Sequence, residues 1–192
     1  LDLSIRRQRQ MCIRDSPTQT LADIFTIRDQ KGKWSGLKVG FCGDLRYGRA
    51  VHSLYDFLND YDNEFVFIAP EGLEMPTIYL DHAKCSYKEV DDLKAEIGDL
   101  DVLYMTRVQR ERFSSDQEAE RYKGSYFLNP EVMESASEDL IVLHPLPRVD
   151  EIDASIDDDP RALYFEQARN GMYMRMALIL TLLEAKNETA GK

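Results

Sequence analysis

No run of this chain approaches the ~20 apolar residues that a membrane-spanning helix requires, so a helical span is not expected. Positive charge is also scarce: 24 Lys and Arg stand against 35 Asp and Glu, a net charge of −11. Nucleic acid is held mostly by clustered cations, so a nucleic-acid partner is not expected, and an anionic ligand must be gripped by a few well-placed side chains. Cysteine is limited to Cys12, Cys42 and Cys85. They are odd in number and widely spaced, without a C-x-x-C pair or a histidine at ligand spacing, which predicts free thiols in a reducing cytosol and no metal site. Glycine-rich ligand motifs are missing too. Gly40-x-x-Gly43 does not complete G-x-G-x-x-G, no phosphate-loop spacing exists, and neither G-x-S-x-G nor a Cys-His pattern points to a catalytic nucleophile.

What remains is ordinary for a globular protein: 43% hydrophobic and 31% charged residues in a chain of 192. That length accommodates one good core, or one domain with part of a second. Residues 1–16 differ in sign, with Arg6, Arg7, Arg9 and Arg14 against Asp2 and Asp15. They lack the apolar core of a secretory signal and the length of an amphipathic transit peptide, and are expected to be an unrelated or spurious start.

From Pro17 helix and strand patterns alternate. Ser16-Pro17 followed by Leu21, Ile24, Phe25 and Ile27 predicts a capped helix ended by Gly32 and Gly36. Strands are predicted at 37–42, 65–69, 85–87, 101–105 and 140–143. Helices are predicted at 47–58, 76–83, 88–97, near 116–123 and after Asn129-Pro130. Short strands that are apolar on both sides and separated by helices predict an α/β fold, a doubly wound parallel sheet of about five strands flanked by helices. The acidic segment 150–160 resembles a linker. Residues 162–185 read as one long helix, too apolar all round for a single narrow contact face.

In open α/β sheets, ligands bind at the carboxyl ends of the strands. Three such ends carry suggestive residues: Gly43-Asp44-Leu45-Arg46-Tyr47-Gly48-Arg49, Thr106-Arg107-Val108-Gln109 and His144-Pro145-Leu146-Pro147-Arg148. Together they offer cations, an amide and a proline-stiffened loop to one crevice. The planar fork of arginine suits a carboxylate and stays charged when partly dry, so a small dicarboxylate is the natural guest. The competing expectation is that these arginines merely pair with surface acids. His52 and His82 suit structural or solvated roles better than catalysis, and Met172, Met174 and Met176 suit packing.

These three segments, with Pro17-Thr18-Gln19-Thr20-Leu21, resemble the aspartate carbamoyltransferase family from residue 17 to about 185. The D-L-R-Y-G-R turn and H-P-L-P are closer to it than to the ornithine enzymes. The resemblance implies transfer of a carbamoyl group from carbamoyl phosphate to L-aspartate in pyrimidine biosynthesis, in the cytoplasm, without metal or organic cofactor. Arg49 and Arg107 would hold the two carboxylates of aspartate and Gln109 would orient it. Carbonyls of Leu146 and Pro147, across a cis bond, would face the amino and carbamoyl groups, and Gln19 would approach the carbamoyl group. Gln19, Arg49 and Arg107 are thus the expected catalytic residues. The mechanism implied is positioning plus electrostatic stabilisation of an oxyanion.

The implied organisation is an aspartate-binding domain over 17–161 and a C-terminal helix over 162–192 that packs on a carbamoyl-phosphate domain. Two departures stand out. Ser16 occupies the place of the family's histidine, and the phosphate-binding loops of the preceding domain are missing, so this chain is not expected to turn over carbamoyl phosphate alone. The intact family enzyme is a homotrimer, with or without regulatory chains. A non-catalytic dicarboxylate-binding module of the same fold is the alternative.

Overall fold

The structure, a computed structural model, describes residues 17–113, 115, 120–122 and 124–190. The expected unrelated or spurious start at 1–16 and most of the polar helix expected near 116–123 lie outside the described residues. Five strands, β1 (Lys38–Cys42), β2 (Glu64–Ile68), β3 (Ser86–Val90), β4 (Val102–Met105) and β5 (Ile141–Leu143), form one sheet. Its order is β3-β2-β1-β4-β5 and every pairing is parallel. The chain reverses direction of travel across the sheet between β1 and β4, which opens a crevice at their carboxyl ends.

Side chains alternate across the sheet, and both faces are covered. Phe65 and Phe67 join Phe41, Tyr55 and Tyr104 on one side. Val66 and Ile68 join Leu103, Met105, Leu93 and Met133 on the other. The first face packs on α1 (Pro17–Lys31) and α2 (Arg49–Leu58), whose Val51, Leu54, Tyr55 and Leu58 are buried at helical spacing. Helix α1 stops at Gly32, whose left-handed backbone (φ 70°) lets its N–H reach the Arg28 carbonyl. Two short helices follow, α3 (Thr77–Leu80) and α4 (Leu93–Glu96). Asn129 caps α5 (Pro130–Glu134) by accepting from the Val132 N–H at 2.9 Å.

Two expectations are corrected. The helix expected over 88–97 is confined to Leu93–Glu96 and a following 3-10 turn, Ile97–Asp99. Val90, Leu93 and Ile97 do have helical spacing, but Tyr87, Lys88 and Glu89 pair with the β2 backbone as an exposed, charged edge strand, and tertiary pairing overrides the local period. Segment 150–160 is not a linker. Glu151, Ile152 and Ile156 are buried, Ile152 bridges Leu128, and the acids Asp157 and Asp159 pair with Arg148 and Arg161. Two of its acids thus neutralise part-buried arginines rather than face solvent in a spacer.

The last helix, α6 (Tyr164–Ala190), returns to pack its first turns on α1. The two backbones come close: a Cβ on Gly171 would sit 3.4 Å from that of Ala22. A buried polar group sits at their contact. The Asp23 carboxylate of α1 accepts from Gln19 Nε2 (2.8 Å), Gln167 Nε2 (2.6 Å) and the Tyr104 hydroxyl (3.0 Å), and Asn170 donates to Thr26. Burial pushes the Asp23 carboxyl up to about 6 against the pull of those three donors. Beyond Gly171 the helix leaves the core, and Met172, Met176, Ile179, Leu180, Leu182 and Leu183 are exposed.

The raised value fixes the sign of a pH effect. The folded chain takes up the Asp23 proton at higher pH than the unfolded chain, so this group adds stability as pH falls from 7 towards 4 and withdraws it as pH rises through about 6. Relative to Asp23→Asn, the native chain is expected to gain about 1 kcal/mol between pH 7 and pH 5 in urea denaturation. A difference independent of pH would show that the carboxyl is not buried as described.

Candidate functional site

The loops leaving β1, β4 and β5 meet at the crevice. Gly43 ends β1 with φ 125°, and a Cβ there would fall 2.2 Å from the Thr106 carbonyl oxygen, so only glycine lets these two loops touch. The next residue, Asp44, is wholly buried and ties them together. One carboxylate oxygen accepts from the Tyr47 N–H (2.9 Å) and the other from the Gln109 N–H (3.0 Å). Burial raises its carboxyl while these two bonds lower it.

This clamp puts Arg49 at the start of α2 beside Arg107 and Gln109. All three line a cavity of about 200 Å³ whose far wall is His144, Leu146 and Pro147. Arg107 spends one edge of its guanidinium on Glu111, with Nη2 at 2.7 Å and Nη1 at 3.2 Å, and Nη1 also donates to the Val108 carbonyl. Its Nε and remaining Nη2 protons form a second two-pronged edge to which no described acceptor is assigned. Arg49 makes no ion pair among the described residues. Gln109 Nε2 donates to the Tyr47 carbonyl at 2.7 Å, which leaves its amide oxygen for a ligand.

The third wall is held from behind. His144 is buried, and its Nδ1 accepts from the Leu146 N–H at 2.9 Å, so the ring proton belongs on Nε2, 2.7 Å from Glu151. Burial raises the Glu151 carboxyl, but His144 and the Val149 N–H outweigh it and hold it below its ordinary range. Leu146 has φ 50° and its bond to Pro147 is cis, as the family resemblance implies.

Other expected groups turn elsewhere. Arg148 does not supply the crevice with a cation: it forks onto Asp157, with Nη2 at 2.6 Å, and reaches the Tyr164 hydroxyl. For that arginine the competing expectation, pairing with an acid, is what the fold realises. Gln19 is not part of the cavity lining and sits on α1 against Asp23. His52 donates to the Leu45 carbonyl region at 2.7 Å and stacks on Tyr79, a structural role. Asp44, Glu111 and the His144–Glu151 pair were not singled out from the sequence. Asp44 and His144 lay within the strand-end segments, where no role was read for them, and Glu111 carried a signal of its own, a carboxylate four residues after an arginine. A larger hollow of about 420 Å³ lies at the opposite ends of β4 and β5, beside Asp101 and Ile141, where the sheet offers no convergent loops.

Asp44→Asn would turn one acceptor into a donor facing a backbone N–H. We expect a loss of about 2 kcal/mol in urea denaturation at pH 7. Unchanged stability would show that the loops are not tied through this carboxylate.

The chain spans about half the length of the curated relatives it matches. It is 51% identical over 172 residues to an aspartate carbamoyltransferase catalytic subunit of Lachnoclostridium phytofermentans, covering 87% of this chain and 56% of the relative. The catalytic subunit of Clostridium novyi is 52% identical over 171 residues, with the same coverage. Among solved structures, the catalytic subunit of M. jannaschii aspartate transcarbamoylase superposes with a TM-score of 0.82 at 42% identity, over 89% of this chain and 56% of that one. Aspartate transcarbamoylase from Trypanosoma cruzi, in complex with N-(phosphonacetyl)-L-aspartic acid, superposes at 0.80 and 36% identity, over 86% and 55%. The family model of the aspartate/ornithine carbamoyltransferase Asp/Orn-binding domain matches residues 35–182. With that model over most of its length, this chain belongs to the aspartate/ornithine carbamoyltransferase family.

Proposed function

We propose that this chain is the aspartate-binding part of an enzyme that transfers the carbamoyl group of carbamoyl phosphate to L-aspartate, giving N-carbamoyl-L-aspartate and phosphate. The observation that carries this is the convergence of Arg49, Arg107 and Gln109 on one small strand-end cavity walled by Leu146 and Pro147. Two arginine forks match two carboxylates, and the cavity has room for a four-carbon acid but not for a large ligand.

In this reading Arg49 and Arg107 fix the carboxylates, and Gln109 limits rotation of the guest. The carbonyls of Leu146 and Pro147 accept N–H bonds from the amino and carbamoyl groups, which aims the nitrogen lone pair at the carbamoyl carbon. Gln19 faces the carbamoyl group from α1. A C–N bond forms, the C–O bond to phosphate breaks, and the amine proton leaves with the departing phosphate or to solvent. The contribution of these residues is orientation and charge complementarity.

The division of labour along the chain follows from the same reading. Residues 17–161 hold aspartate, and residues 162–192 carry the helix whose exposed apolar half packs on a carbamoyl-phosphate domain. The whole enzyme is a cytoplasmic homotrimer, with or without regulatory chains, that needs no cofactor, and this chain by itself does not complete the reaction.

Calorimetric titration with L-aspartate and with N-(phosphonacetyl)-L-aspartic acid tests this. Binding is expected, weakened at least about tenfold by Arg49→Ala and by Arg107→Ala, or roughly 1.4 kcal/mol each. Absence of binding by a folded sample, or binding indifferent to both arginines, would overturn the assignment. Carbamoylation of aspartate by this chain alone would overturn its dependence on a further domain, and binding with no chemistry in the full-length enzyme would favour a dicarboxylate-binding module.

A further inference from the structure

We propose that Asp23 is a positioning residue of this site: it sets which way the Gln19 amide faces and, through Gln167, anchors the His144–Pro147 loop. The inference deepens the function proposed above and rests on it for the part concerning Gln19.

An ionised carboxylate only accepts hydrogen bonds, so every partner in contact must present a donor. Gln19 and Gln167 both turn their Nε2 groups to Asp23 Oδ1, and the Tyr104 hydroxyl takes Oδ2. The polarity then propagates outward. With its NH₂ spent on Asp23, Gln19 leaves Oε1 as the end directed away from the carboxylate, an acceptor suited to a ligand amide N–H. Gln167 likewise has only its oxygen left, and that oxygen accepts from the His144 N–H at 2.8 Å. His144 then receives the Leu146 N–H on Nδ1. One buried charge on α1 thus reaches the His144–Pro147 wall of the cavity through Gln167 and sets the Gln19 amide, without touching the cavity itself.

A neutral Asp23 breaks this order. A protonated carboxyl, or an asparagine, carries a donor that needs an acceptor: on the Oδ2 side the Tyr104 hydroxyl can turn to supply one, and on the Oδ1 side a glutamine must turn its oxygen inward. Turning Gln167 sets its NH₂ against the His144 N–H, donor to donor, and frees the loop. Turning Gln19 shows the ligand a donor where it met an acceptor. Among the described residues, the groups in contact with the carboxylate are Gln19 from α1, Tyr104 from β4 and Gln167 from α6. Tyr104 alone of these can titrate, and burial beside Asp23 keeps its hydroxyl protonated.

The test is NMR of the full chain, following the Asp23 carboxyl carbon, the side-chain NH₂ signals of Gln19 and Gln167, and the amides of His144 and Leu146 between pH 8 and pH 5. Expected is a single shared midpoint, and in Asp23→Asn the low-pH positions at every pH, with the His144 amide exchanging at least about tenfold faster. If Asp23→Asn does not fold, Gln167→Met cuts only one arm. It should free the His144 and Leu146 amides and leave the Gln19 NH₂ signal in place. Titration of Asp23 with His144, Leu146 and Gln19 unmoved would overturn the proposal. Calorimetry separates the two inferences: N-(phosphonacetyl)-L-aspartic acid should bind at least tenfold more weakly to Asp23→Asn, while L-aspartate, held by the arginines, changes less. If the native chain binds neither ligand, the proposed function falls, and the NMR result still decides the network.

Discussion

A single carboxylate with three donors around it, Asp23, governs how this domain is put together. It lies where α1, β4 and α6 meet, fully excluded from water, with a bond to each. Burying a charge is costly unless its lone pairs are filled, and its raised carboxyl shows that the cost is only partly offset. A leucine could fill such a place, but it would not dictate the angle or register of α6 on α1. The polar contact does, because each donor must arrive from its own direction.

A second buried aspartate works at the other side of the crevice. Asp44 holds the loops after β1 and β4 through two backbone N–H groups, and Gly43 permits their contact. The loop after β5 is fastened in turn by Glu151, which accepts from the Val149 and Asp150 N–H groups, and by His144, which accepts from the Leu146 N–H. The walls of the cavity are therefore set by buried acids, while its ligand-facing groups are cationic or neutral. In a chain of net charge −11, this separation leaves Arg49 and the second edge of Arg107 facing the cavity.

Arginine use follows the same economy. Arg148 and Arg161 are tied to Asp157 and Asp159 and build the segment that looked like a linker. Arg107 is half committed, since Glu111 orients one edge and leaves the other. Position after a strand end was not enough to tell these arginines apart, because each is separated from its acid by a turn whose geometry the local sequence does not specify.

The amino-acid sequence by itself determined the doubly wound sheet, since β1, β2, β4 and β5 are apolar runs bounded by turn residues, and their order along the chain alternates with helices. It also determined the set of strand-end residues, Arg49, Arg107, Gln109, Leu146 and Pro147, that the fold brings to one cavity. Periodicity and turn chemistry are local properties, and they are legible one segment at a time. What only the tertiary structure decided is which polar groups become partners: that Lys88–Val90 pair as an edge strand, that Arg148 turns away, that Gln19 faces Asp23, and that Gln167 reaches His144 from 23 residues away in sequence. Those outcomes depend on donors and acceptors that meet only after distant segments pack, and on the desolvation that makes each unmet bond expensive.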